Sequence, residues 1–106
     1  MNIVELNELG WYFSHYWNNR SIFYFRDKDL PYLLFEHNGN FGLIDPFEKN
    51  DVKFIYKSLT DENIRSYTNL LKCKVEYMTH PHMYSIQDDT YITDKLKYFI
   101  LTIKNA

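Results

Sequence analysis

Asn38-Gly39 restricts the possible folds of this chain more than any other pair of residues in it. A two-residue hairpin of type I′ needs positive φ at both central positions, and Asn-Gly meets that need at little steric cost. The flanking runs, residues 32–37 and 41–45, are rich in aromatic and aliphatic strand formers. An antiparallel hairpin over these two runs is therefore expected. Pro31 stands where it opens a strand without removing an interior ladder bond, and Pro46 closes the next one. A further strand is expected over residues 21–25, set off by the polar turn Arg26-Asp27-Lys28-Asp29.

Helical periodicity surrounds this sheet. Ile3, Leu6, Leu9, Phe13 and Trp17 recur at helical spacing, which predicts an amphipathic helix over residues 3–17, ended by Asn18-Asn19. Val52, Ile55, Tyr56 and Leu59 form a second stripe behind Asn50 and Asp51. Thr60, Asp61 and Glu62 restart the helical pattern, carrying Ile64, Tyr67, Leu70 and Leu71, so that this stretch reads as one bent helix or two short ones. Residues 74–78 and 83–87 have the composition of two more strands around Thr79-His80-Pro81-His82. For the C-terminal stripe of Leu96, Phe99, Ile100 and Ile103, a helix behind a Thr93 cap is preferred to a buried strand over 98–103. The expectation is one α+β domain over residues 1–106. It has an antiparallel sheet of about five strands in the order αβββ-α-ββ-α, with helices covering one face.

Size and charge narrow the function classes. A chain of 106 residues with 45% apolar residues can build one real core. The formal charge of −2 supplies neither the basic field of a nucleic-acid binder nor the acidic excess that would mimic a polyphosphate. The second half mixes eight basic with seven acidic side chains, so its interleaved tyrosines lack the basic groove that would stack bases. One cysteine, Cys73, rules out an internal disulfide and points to a reducing compartment. With no leader-like start and no long apolar run, a cytoplasmic, soluble protein is expected, with neither membrane nor nucleic acid as partner. The scarcity of alanine beside abundant Asn, Lys, Ile, Tyr and Phe reflects an AT-rich host.

Chemistry-bearing constellations are weak. His80-Pro81-His82, with Asp88 and Asp89 downstream, is the most metal-like cluster, but it has no third ligand at a diagnostic spacing. Cys73 reads as a buried or half-buried thiol near a helix end. Glu36 and Asp45 flank the hairpin as solvated carboxylates, and Gly10, Gly39 and Gly42 form no phosphate cradle. No catalytic residue, cofactor or metal is expected. The run Asn38-Gly39-Asn40-Phe41-Gly42-Leu43-Ile44-Asp45 resembles the hairpin core of WG-type β-repeats, though it occurs once, lacks the repeat's tryptophan and implies only a tight hairpin.

Twenty Phe, Trp and Tyr side chains exceed what a core of this size readily hides, and such rings are the usual anchors of interfaces. The expected function is a small protein-binding inhibitor or immunity-type protein from a mobile-element, phage or toxin-immunity locus in a bacterium. It would act as a monomer or weak dimer by occluding a toxin, a host enzyme or a secreted client. The αβββαββα order also resembles that of bacterial secretion chaperones, which implies client binding as the alternative; a small enzyme comes third. On the expected first helix Val4, Glu8, Trp11, Tyr12 and His15 share the face away from the sheet and form the candidate partner patch.

Overall fold

The computed structural model describes residues 1–48, 54–55 and 58–105. The chain opens with a short helix, α1 (Ile3–Leu9), and continues into the strands β1 (Trp11–Trp17), β2 (Arg20–Phe25), β3 (Leu33–His37) and β4 (Asn40–Ile44). A two-residue strand, β5 (Phe54–Ile55), completes the sheet, and two long helices follow, α2 (Asp61–Thr79) and α3 (Ile86–Asn105). The strands lie in chain order β1-β2-β3-β4-β5, every neighbouring pair antiparallel. The structure has the expected α+β class, with helices packed on one face of an antiparallel sheet. Its order of elements differs from the expected one.

The first correction falls at Gly10. This residue adopts φ 106°, and its N–H returns to the Asn7 carbonyl, so the expected helix over 3–17 stops at Leu9. Beyond it, Trp11-Tyr12-Phe13-Ser14-His15-Tyr16-Trp17 contains no strong helix former and five aromatic residues, and it pairs with β2 as a strand. Asn18 and Asn19, at φ 48° and 63°, supply the two positive-φ residues of a tight hairpin. Asn38 and Gly39 do the same between β3 and β4, at φ 51° and 83°. Glu36 reinforces that second turn by accepting the Gly39 N–H at 2.7 Å.

The second correction lies in the C-terminal half. Thr60 and Asn63 form a capping box, each side chain accepting the other's backbone N–H, and start α2 where expected. The helix then runs straight through residues 74–78, because the stripe Ile64, Tyr67, Leu71 and Val75 continues without a break. Residues 83–87 are not a strand either. A 3-10 turn over Pro81–Met83 leads to Ser85, whose N–H and Oγ bond Asp88 in a reciprocal pair that starts α3. The C-terminal segment is the preferred helix, starting well before the expected Thr93 cap. Of the helix expected from Val52 to Leu59, Val52 and Tyr56 lie outside the described residues; Phe54–Ile55 pairs with β4, and the Leu59 N–H bonds the Phe41 carbonyl.

Strand alternation divides the sheet's side chains between its faces. Phe23, Phe25, Leu34 and Leu43 join Trp11, Ile64, Tyr67, Leu71, Leu96, Ile100 and Ile103 in the main core between sheet and helices. Ile22, Phe35 and Ile44, the intervening residues, form a separate buried cluster with Leu33. Leu6 ties α1 into the main core. Ion pairs from the Met1 amino group to Asp61 and from Glu5 to Arg65 fasten the same helix to the start of α2.

Candidate interaction surfaces

The residues proposed as a partner patch do not share one face. Val4 and Glu8 are exposed on α1, while Tyr12 and His15 are exposed on β1. Trp11 is completely buried, which corrects its place in the patch. The reason is local: with the helix ended at Gly10, Trp11 is the first residue of a strand and turns inward beside Phe25. Its indole N–H donates to Thr68 Oγ1 at 2.9 Å, and that hydroxyl donates onward to the Ile64 carbonyl at 2.6 Å. Trp11, Tyr67 and Phe99 form a stack of rings with centroids 5.9 and 5.6 Å apart. It is α2, with α3 behind it, that covers the tryptophan.

The first available surface is the free edge of the sheet. Among the described residues β1 pairs only with β2, and all its residues after Trp11 are exposed. Tyr12, Phe13, Tyr16 and Trp17 are 41, 43, 75 and 42% exposed. An irregularity at Ser14 shifts the register between Phe13 and His15. The bulge brings the Phe13 and Tyr16 rings to 5.0 Å from one another.

The second surface runs along the solvent side of the helical hairpin. A groove of about 580 Å³ is lined by Leu70 of α2 and by Tyr91, Tyr98, Phe99 and Ile103 of α3, with Asp94 and Lys95 among its polar residues. Tyr91 also borders a second hollow of about 610 Å³, toward the inter-helix turn, with Lys72, Cys73, Glu76 and Asp88. Tyr91 and Tyr98 are mostly exposed although their rings flank an apolar floor. Sequence reasoning missed this groove, since it exists only where the stripe of α2 meets that of α3. Tyr91, Lys95, Tyr98 and Thr102, at spacings of four, three and four, were its one sequence signal.

Polar groups inside the protein serve the fold. Asp45, expected to be solvated, is buried; it accepts the Phe47 N–H at 2.9 Å and pairs with the Lys104 ammonium. Lys74 bridges Asp89 and Thr93 at the side of the hairpin. The Tyr67 hydroxyl is buried with no hydrogen-bond partner among the described residues. Burial, seconded by the charges of Tyr32 and Asp45, raises its pKa far above that of an ordinary phenol. Tyr32 is raised in the same way by burial and then by Asp89. Cys73 is exposed rather than buried, at the wall of the second hollow.

His80 caps the end of α2, and its ring lies 6.3 Å from that of His82. Among the described residues no group of three or more His, Cys, Asp or Glu side chains is placed to hold a metal ion. No helix formed by them is long and apolar enough to cross a membrane. Comparison with protein-family models, with curated proteins and with solved structures finds no match to this chain.

Proposed function

We propose that this chain is a small protein-binding inhibitor of the immunity type, which acts by occluding a partner protein through the α2–α3 groove. The observation that carries the proposal is the pairing of an apolar floor, Leu70, Phe99 and Ile103, with two exposed tyrosines, Tyr91 and Tyr98. Rings held on a helix lose little freedom on binding and act as anchors, while the floor offers apolar area to be covered. A groove between two antiparallel helices is shaped for the apolar stripe of a third, so the occupant is an amphipathic helix of the partner. Asp94 and Lys95 along the walls set both signs of charge beside the apolar floor, which suits a partner helix with mixed flanking charges. The chaperone alternative rested on an αβββαββα order, whereas the five strands here precede both long helices, and no other observation supports it.

Co-purification from the native host tests this proposal. Tagged wild type and a Tyr91→Ala/Tyr98→Ala variant of equal thermal stability serve as bait, with bound proteins identified by mass spectrometry. The proposal expects one protein at near-stoichiometric yield with wild type and a depletion of at least tenfold with the variant. Equal recovery with both baits contradicts it.

A further inference from the structure

We infer that β1 is a self-association site, at which a second copy of this chain pairs antiparallel with the first and joins the two sheets into one. Among the described residues the two edges of the sheet differ: β5 takes in Phe54–Ile55, whereas β1 runs for seven residues. An edge strand presents backbone N–H and C=O groups to solvent, and long edges are normally protected by lysine, proline or inward charges. β1 contains no Lys, Arg, Asp, Glu or Pro.

Charge argues for a second copy as the occupant. A two-fold axis between antiparallel strands sets each side chain against one from the same short sequence, so any charge in β1 would face a like or mirrored charge. With none present, the strand meets its own copy without repulsion.

The bulge argues for the same occupant. Register with β2 places Phe13 and Tyr16 on one face, opposite Phe23 and Ser21. It places Tyr12, His15 and Trp17 on the other, opposite Tyr24, Ile22 and Arg20. A two-fold axis between Ser14 and His15 then sets Phe13 against Tyr16 of the second copy on one face and Tyr12 against its Trp17 on the other. The pattern on the strand is thus its own complement, aromatic against aromatic on both faces.

Area sets the strength of the association. The exposed parts of these four rings amount to about 400 Å² per copy, taking a whole ring side chain as ~200 Å². A pair covers about 800 Å² of ring surface, short of the roughly 1,200 Å² at which stable interfaces begin, so the dimer is a reversible one that fills only at micromolar concentration and above. β1 supplies no residue of the α2–α3 groove, so self-pairing uses different side chains from those proposed for the partner.

Sedimentation velocity between about 1 and 500 µM provides the test, on wild type, Tyr16→Lys, Tyr12→Lys and a Tyr98→Lys control on α3. The expected result is a concentration-dependent monomer–dimer equilibrium in wild type. Tyr16→Lys and Tyr12→Lys, on opposite faces of β1, should each weaken it by at least tenfold, and Tyr98→Lys should leave it unchanged. Circular dichroism confirms the fold of each variant, and either β1 variant suffices if the other does not fold. A wild type that stays monomeric throughout, or a dimer that responds to Tyr98→Lys and not to the β1 variants, overturns the inference.

Discussion

The indole N–H of Trp11 donates to the hydroxyl of Thr68 across 2.9 Å, joining the first residue of β1 to the middle of α2, 57 positions later. Both groups are fully buried, and the Thr68 hydroxyl spends its own proton on the Ile64 carbonyl. Thr68→Val keeps the side-chain shape but leaves the indole N–H unpaired, so it should cost about 1–3 kcal/mol. Trp11→Phe removes that donor along with part of the ring. The two losses should therefore be less than additive in the double variant, as urea denaturation midpoints would show. Strict additivity would mean that the bond contributes nothing.

Tyr67 offers the opposite case. Its hydroxyl is buried without a hydrogen-bond partner among the described residues, so Tyr67→Phe should be neutral or stabilising by up to about 1 kcal/mol. The same change alters alkaline stability. In the unfolded chain this phenol ionises near pH 10.0, while in the folded protein it stays protonated to higher pH. The unfolded state therefore loses a proton first, and stability falls as pH rises past 10. Removing the phenol should flatten that fall by about 1.4 kcal/mol per pH unit, leaving the contribution of Tyr32. Denaturation midpoints at pH 9.0, 10.5 and 11.5 decide it; parallel curves for the two proteins would show that Tyr67 ionises alike in both states.

Gly39 and Gly10 separate backbone strain from crowding. A Cβ at Gly39 meets nothing within 4 Å, so Gly39→Val should cost about 1 kcal/mol or a little more, from positive φ alone. At Gly10 a Cβ approaches the Arg26 side chain to 3.2 Å and the buried Phe25 ring to 3.3 Å. Gly10→Ala should then cost more than Gly39→Ala, by about 1 kcal/mol or more. Thermal melts of the two alanine variants compare them directly, and equal losses would refute the crowding at Gly10.

How far the fold was legible depends on which signals compete. Asn38-Gly39 has one common use between two β-rich runs, and β2, β3 and β4 stand within a residue or two of expectation. Residues 11–17 are apolar on both faces, so they match the helical period and the strand period equally well. Their aromatic composition and the stop at Gly10 decide for a strand, and Asn18-Asn19 carries the same turn chemistry as Asn38-Gly39. Residues 74–78 depart from expectation in the other direction: Val75 and Tyr77 favour strands taken alone, yet a capped helix with a buried stripe is cheaper to continue than to break. The capping pair Ser85 and Asp88 was visible in sequence, but the strand-like Met83–Gln87 run masked it. The groove and the burial of Trp11 depend on how α2, α3 and β1 meet, which local pattern does not encode.

Asp45 and Lys104 bring the end of β4 to the end of α3. Because the carboxylate is buried and the ammonium only partly so, Lys104→Met should cost about 2 kcal/mol by leaving the charge of Asp45 without its counterion. Asp45→Asn in that background should recover part of the loss, since the amide oxygen still accepts the Phe47 N–H. Urea midpoints of the single and double variants measure the coupling, and a Lys104→Met protein as stable as wild type would place the pair among those worth nothing.

Calorimetric titration of the co-purified partner into wild type and into Tyr98→Ala tests the proposed inhibitor function most directly. Tyr98 is largely exposed, so its removal should leave the melting temperature within a degree or two. As an anchor of the α2–α3 groove it should nonetheless weaken binding by roughly 30-fold or more, the loss of about 2 kcal/mol typical of a buried interface ring. A dissociation constant within twofold of the wild-type value, at unchanged stability, would contradict the assignment of the groove.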